Sequence, residues 1–442
     1  MKKILIISHD KIGTKMAGPG IRYHHMAEIL SKSFEVTVGF FDRTYLPGKS
    51  FKKSYKAMHI DAYNFHEGFE GQDIVIALYL TDPMIDYCNQ KKAFMVFDLY
   101  APVPVENLAQ YMFSKKDITT HIDETFIASR ASYEKFFQNG DLFIYSNRRQ
   151  LDYWIGYVFG VGTILPSKYI QRPIYDRFLA APMGIGSSTV LSKSKRSPIK
   201  GTIAGISVKD TVILWTGGVW DWFDAQTTIR AMAELKETRP DIKLVFFGTQ
   251  HPNPSIPKMD ELELARGLAI HLNLLSNTVF FQDGWVDYQG RLEYLADADL
   301  AIYSHKPSIE TEFSHRTRVL DHILAELPTV ATAGDYFADE VILPQGIGEV
   351  CPAGDSKALS QAILKAAEPR NYQVMKSRIT KIRKNFDWEN TLKDLEDFLL
   401  TNPSKLERVS QSIEIRRDSL AKRIIKRVVP VGIRRILRRL VG

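Results

Sequence analysis

The chain has 442 residues, 45% hydrophobic and 25% charged, with a formal net charge of +7. That length exceeds one ordinary core, so two domains are expected, and the composition is globular rather than disordered or fibrous. Cys88 and Cys351 are too far apart in sequence for a disulfide framework or a zinc spacing, which fits a reducing compartment, and no run of about 18 apolar residues predicts a membrane span.

The N-terminus, MKKILIISHD, is basic and then apolar only from Ile4 to Ile7. It is too short for a signal peptide and reads as a first strand. IRYHHMAEILSK follows as a helix and FEVTVGFF as a strand, and DIVIALYL, AFMVFDLY and DLFIYS read as later strands. Short apolar runs between helical patterns predict a parallel sheet covered on both faces. The longest apolar stretch, Tyr153 to Leu165, is interrupted by three glycines and reads as core. Residues 1–186 thus form one doubly wound domain. Residues 187–208, rich in Ser, Lys and Gly, form a linker.

A second alternating set occupies residues 209–370. It runs TVILWTGG, a helix over Ala225 to Lys236, KLVFFG, a helix over Asp260 to Leu275, TVFFQDG, LAIYS and PTVAT. The fold class is α/β, two doubly wound Rossmann-like domains in tandem with ligand in the cleft between strand C-termini. Residues 371–402 read as a helical segment packing back, and 403–442 as a basic amphipathic tail.

The segment SIETEFSHRTRVLDHILAELPTVAT, Ser308 to Thr332, is the most informative. It joins two strands through acids (Glu310, Glu312), a polar and basic cluster (Ser314, His315, Arg316, Thr317, Arg318) and an apolar helix. Free N–H groups at a helix start attract anions, and guanidinium groups match phosphate oxygens. Carboxylates just before them suit sugar hydroxyls. The segment therefore reads either as a nucleotide-sugar pocket or as a solvated helix start.

The tandem halves, together with ILWTGGVWDWFDAQTTIRAMAEL, KLVFFG, VFFQDGWVDYQGRLEYLADADLAIYS and RTRVLDHILAELPTVAT in this order, resemble the GT-B family of retaining, nucleotide-sugar-dependent glycosyltransferases (family 4). The resemblance spans roughly residues 1 to 400. It implies a GT-B architecture and sugar transfer with retention. KMAGPGIR, with Gly18, Gly20 and Arg22, looks like the family's Gly-rich turn after strand one. Gly217 and Gly218 stand at a strand C-terminus, where such sheets carry ligands, and Gly284 and Trp285 resemble the place where members contact the base, Trp285 being otherwise a core residue. The usual Arg and Lys of the diphosphate clamp are absent from GGVWDWFD, which carries Trp220 and Trp222 instead. The resemblance then leaves Arg316 and Arg318 as substitutes, helped by the amides of Ser314 to Thr317. Counting from Pro328, the second of the family's paired glutamates falls on Asp321, a ribose ligand. The first falls at Phe313, so Glu310 or Glu312 takes its role at the donor sugar. VFDLY puts Asp98 where the family often has a His facing the transferred sugar. Asp98 would hold a sugar hydroxyl or a developing charge, or simply cap the next helix.

Other apparent motifs are set aside. Asp297-Ala298-Asp299 has the form of a metal-binding DxD but lies between a helix and a strand. His24 and His25 are adjacent, so they do not make one metal face. His251 has no evident partner. No metal and no other cofactor is expected.

Residues 416–442 hold ten Lys/Arg against one acid, Asp418, giving +9, more than the whole chain's +7, so the other 415 residues sit near −2. LAKRIIKRVV and VGIRRILRRLVG alternate apolar and basic pairs at helical spacing, the pattern of an anchor on an anionic membrane surface. Nothing interleaves aromatics for nucleic acid. The sequence as a whole predicts a cytoplasmic enzyme held peripherally on the inner face of the cell membrane. Its donor is a nucleotide sugar and its acceptor a lipid-linked or other glycan of cell-surface polysaccharide synthesis. The alternatives are a non-catalytic sugar-binding scaffold and a nucleotide-sugar epimerase.

Overall fold

The computed structural model describes residues 1–113, 119–164, 166–170, 173–186, 197–249 and 259–401. The first half builds a seven-stranded sheet from β1 (Lys3–Ser8), β2 (Glu35–Phe40), β3 (Lys56–His59), β4 (Ile74–Ala77), β5 (Phe94–Asp98), β6 (Leu142–Tyr145) and β7 (Phe178–Ala180), in the order β3-β2-β1-β4-β5-β6-β7. The second builds a six-stranded sheet from β8 (Thr211–Thr216), β9 (Ile242–Phe247), β10 (Val279–Gln282), β11 (Leu300–Tyr303), β12 (Thr329–Thr332) and β13 (Gly348–Cys351), in the order β10-β9-β8-β11-β12-β13. Every pairing is parallel. The central strands are apolar end to end because helices cover both faces: Ile4 to Ile7 and Val212 to Trp215 are wholly buried. Strand order reverses between β1 and β4 and between β8 and β11, and at each reversal the loops diverge and leave a crevice at the strand C-termini.

The chain crosses back after the second sheet. The helix Pro369–Ile382 is followed by Trp388–Thr391 and Lys393–Leu400. Leu392, Leu395 and Leu399 join the core of the first half with Ile29, Leu30, Phe34 and Phe94. The crossing is pinned at Ile185, whose N–H donates to Phe386 O at 2.8 Å and whose carbonyl accepts from Trp388 N at 3.0 Å. Gly184 is required there, since a Cβ would press on the backbone of Trp388 at 2.8 Å. His25 stacks on Trp388 with ring centroids 5.0 Å apart and donates or accepts at Tyr288 Oη, 2.8 Å away.

Several elements differ from the sequence expectation. The short strands β3, β7 and β13 were not expected; KAMH, FLA and GEVC are too short to show a period. The apolar stretch from Tyr153 to Ile164 does contribute to the core of the first half, through Trp154 and Val158. Its residues 153–160 lie on the helix Arg148–Gly160, which buries Leu151, Trp154 and Val158 and exposes Phe159. The helix from Asp260 ends at His271, before the left-handed Asn273 and Ser276. The segment after Ser308 forms two short helices, Ile309–Phe313 and Arg318–Leu324. The expected linker is described only from residue 197, and the basic tail and His251 lie outside the described residues. Among the described residues no helix is long and apolar enough to cross a membrane.

Candidate functional site

A cleft of about 980 Å³ opens at the C-terminal ends of β8, β9 and β10 and takes its opposite wall from the first half. The strand-to-helix turns bring the functional groups there. Gly217, at φ +76°, turns the chain sharply as β8 ends and keeps backbone at the cleft surface. Of the residues expected from sequence, Gly18, Gly217, Gly218, Trp222, Trp285, Glu310, Ser314, His315, Arg316, Thr317, Arg318 and Asp321 all line this one cleft.

Arg318 differs from its neighbours in how it is held. Its Nη2 donates to the carbonyl of Gly218 at 2.9 Å, and its guanidinium lies over Phe223, 4.0 Å from the ring centroid. Among the described residues it has no carboxylate partner, and Nη1 is buried with no hydrogen bond. Burial, and then the charge of Arg316, pull its pKa down to about 9, so it remains a cation at neutral pH in want of an anion. Arg318 thus lies against Gly218 and Phe223, in the segment GGVWDWFD, which carries no basic residue of its own.

Arg316 is not a free clamp, contrary to expectation. Nη1 and Nη2 donate to Glu310 Oε1 and Oε2, both at 2.8 Å, in a buried bidentate pair. Each neutralises the other, so neither brings net charge to a diphosphate. Glu312 is exposed and stands outside the cleft, which leaves Glu310 as the acid of the two that lines it. His315 adds no charge either: burial and then Arg22 hold its pKa near 3, so the imidazole is neutral, and its Nε2 is buried without a hydrogen bond. Asp321 lines the cleft but is tied to Arg291, whose Nη2 lies 3.1 Å from Oδ1.

Asp98 does not face the reacting end. It is fully buried, and its two oxygens accept from Arg22 Nε and Nη2 at 2.6 and 2.7 Å. Arg22 is equally buried, with Tyr100 stacked 4.8 Å from its guanidinium carbon. Both therefore lie behind the cleft wall and fix the loop after β5. Gly20 is also behind it, packed so closely on the carbonyl of Lys11 that no side chain fits. Gly284, at φ +92°, makes the turn that delivers Trp285 rather than lining the cleft itself. Asp297 accepts from Ser197 and from the N–H groups of Ile199 and Lys200, and Asp299 from Val212 N, so both cap backbone.

The sequence reading missed the wall supplied by the helix Val103–Phe113. Glu106, Asn107 and Gln110 project from it into the cleft. Burial and the nearby charge of Glu310 raise Glu106 to about 7, against a smaller pull from Arg316. The only sequence signal was three polar residues, Glu106, Asn107 and Gln110, inside an otherwise apolar run. Arg266 and Met259 at the opposite end of the cleft were missed as well.

Residues 210–368 match the family described as Glycosyl transferases group 1. No curated protein matches the chain in sequence. Among solved structures, HepE of Anabaena in complex with UDP-glucose is similar, with TM-score 0.61 and 15% identity over 91% of this chain and 100% of that one. Sucrose-phosphate synthase from Thermosynechococcus elongatus gives TM-score 0.59 and 15% identity over 91% and 100%. WaaG, a glycosyltransferase involved in lipopolysaccharide biosynthesis, gives 0.58 and 15% over 89% and 99%. The two parallel-sheet domains are thus the GT-B architecture that the sequence led us to expect.

Proposed function

We propose that this protein is a glycosyltransferase that moves a sugar from a nucleotide-sugar donor to a glycan acceptor. The observation that carries the reading is Arg318, a buried cation with no carboxylate partner among the described residues, set in the cleft beside Gly217 and Gly218 of a segment that matches a glycosyltransferase family. A diphosphate supplies the missing anion. As the bond from the anomeric carbon to the donor phosphate breaks, negative charge grows on the leaving group, and a fixed cation in a water-poor cleft stabilises it. The solved complex of HepE with UDP-glucose is consistent with such a donor. In this reading the nucleoside lies toward Trp285 and Asp321, Glu310 meets the donor sugar, configuration is retained, and no metal takes part.

The proposal extends to the tail: residues 416–442 hold the enzyme on the anionic inner face of the cell membrane, near a lipid-linked acceptor. Removing residues 403–442 is expected to release the protein from anionic vesicles without changing its melting temperature; unchanged co-sedimentation would refute the anchor. The donor is tested by melting the full chain with UDP, GDP, dTDP and CMP and then with the matching nucleotide sugars. A ligand that binds only the folded chain raises the melting temperature by mass action. A rise with one nucleotide that disappears in Arg318→Ala supports the reading. No rise with any of them removes it.

A further inference from the structure

The turn between the two short helices after Ser308 holds a surplus of polar atoms. Ser314 Oγ, His315 Nε2, Arg316 Nε and Arg318 Nη1 are all buried, none has a hydrogen bond among the described residues, and all four residues line the cleft. Buried polar atoms are normally paired, so four unpaired ones within five residues call for a ligand rich in acceptors. The two guanidinium groups always donate, and a hydroxyl rotates to do so. His315 is different. A neutral imidazole donates from one nitrogen and accepts at the other, so what Nε2 offers depends on what Nδ1 meets.

Nδ1 meets the first domain, where Asn147 Nδ2 lies 3.4 Å away. The carboxamide of Asn147 has only one orientation open to it, because it caps the helix Arg148–Gly160: Oδ1 accepts from Gln150 N at 3.0 Å. The group left facing His315 is therefore the NH2, which only donates. Nδ1 must accept, and the ring proton sits on Nε2. The arrangement is held from both sides. Arg149, two residues after the cap, ties the same helix start to the second half: Nε donates to Glu340 Oε1 at 2.6 Å, Nη2 to Asp339 Oδ2 at 2.9 Å and Nη1 to the carbonyl of Gly334 at 2.8 Å. The ring of His315 packs on Phe337 with centroids 4.7 Å apart.

We infer that Asn147 is a positioning residue that fixes His315 as the Nε2–H tautomer, so that the ring donates a neutral hydrogen bond to a phosphate oxygen of the nucleotide donor. The inference rests on the transferase reading above. The other tautomer would offer the phosphate a lone pair, a repulsion that a water-poor cleft does not screen. Protonation does not supply the donor instead, since burial, and after it the charge of Arg22, keep the ring neutral at pH 7. Asn147 belongs to the first domain and His315 to the second, so the donor is set only while the two are in register. The first domain thus acts on a phosphate through a residue of the second.

Asn147→Asp tests this. Aspartate caps a helix about as well as asparagine, so the helix start is kept, but a carboxylate only accepts and draws the ring proton to Nδ1. In the full chain labelled with nitrogen-15 histidine, long-range proton–nitrogen NMR shows which ring nitrogen carries the proton. The His315 signals are those missing from His315→Phe and from His315→Gln. Expected is Nε2–H in the wild type and Nδ1–H in Asn147→Asp. Calorimetric titration then uses whichever of UDP, GDP and dTDP binds the wild type. Its dissociation constant should rise about tenfold or more in Asn147→Asp and in His315→Phe, the scale of one hydrogen bond to a charged group. A new negative charge would weaken the nucleotide by itself, so the double variant separates the causes: with His315→Phe already present, Asn147→Asp should cost nothing further. A proton on Nδ1 of wild-type His315, unchanged affinity in Asn147→Asp, or additive losses in the double variant each overturn the inference while leaving the transferase reading in place. If the wild type binds no nucleotide, that reading falls and this inference with it.

Discussion

The two arginines of the cleft should respond to removal in opposite ways. In Arg316→Ala, Glu310 keeps its burial and loses both bidentate bonds, each 2.8 Å long. Breaking one partner of such a buried pair costs about 3–5 kcal/mol of stability, because a lone carboxylate stays in the wall. Arg318→Ala removes one bond to a neutral carbonyl and a contact with Phe223. Those are worth ~1 kcal/mol each, and the change also relieves a desolvated charge, so stability should move little. Binding should show the reverse weighting. A guanidinium about 4 Å from a phosphate charge contributes up to ~4 kcal/mol at an effective dielectric constant of 20, and ~1.5–3 kcal/mol is typical for a hydrogen bond to a charged group. A loss of ~2–4 kcal/mol is roughly 30- to 1,000-fold in the dissociation constant of the nucleotide. Urea denaturation and calorimetric titration of the bound nucleotide measure the two quantities on the same preparations. The reasoning fails if Arg316→Ala is as stable as wild type, or if Arg318→Ala binds the nucleotide unchanged.

Asp98→Ala should destabilise by about 3–5 kcal/mol in urea, since Arg22 would be left buried and unpaired, whereas the isosteric Asp98→Asn should cost less. His25, His315 and His322 are each held near pKa 3 by burial, below their unfolded value, so the unfolded chain binds their protons first. Their stabilisation is complete above about pH 6.5 and is lost as pH falls toward 3, which urea midpoints between pH 7 and 5 will show as a steady decline. Glu106 has the opposite sign: its raised pKa favours the folded chain below about pH 4.5 and this is lost as pH rises through 7, so Glu106→Gln should raise the melting temperature at pH 8 more than at pH 5. Gly348→Ala would drive a methyl into the carbonyl of Thr329 on the neighbouring strand; a loss of about 1–3 kcal/mol or more is expected, and wild-type stability would contradict the packing.

The parts of this fold that sequence revealed were the ones with a strong local signature. KILIIS, TVILWT and KLVFF are buried on both faces, so their apolar runs are uninterrupted. The edge strands KAMH and GEVC have no such constraint and gave no signal. In the site, the residues that line the cleft between Ser314 and Asp321 could be named because they follow one another in the chain. What they are bonded to could not. Arg316 and Arg318 are two residues apart and chemically identical, and only the turn of the short helices decides that one meets Glu310 and the other Gly218. Asp98 failed for a similar reason: its partner Arg22 lies 76 positions away. Glu106 was overlooked because its meaning depends on the other domain standing opposite.

The returning segment has a consequence for how the molecule is made. Trp388, Leu392, Leu395 and Leu399 complete the core that begins with Ile4, Ile29 and Phe34. On a ribosome, the strands of the first sheet are finished about 200 residues before those leucines emerge. At ordinary synthesis rates that interval lasts ~10–40 s. During it the first domain carries an open apolar face, large enough to attract a chaperone or a second nascent chain. Truncations that stop anywhere short of Leu400 should share that defect, however complete the cleft residues they retain.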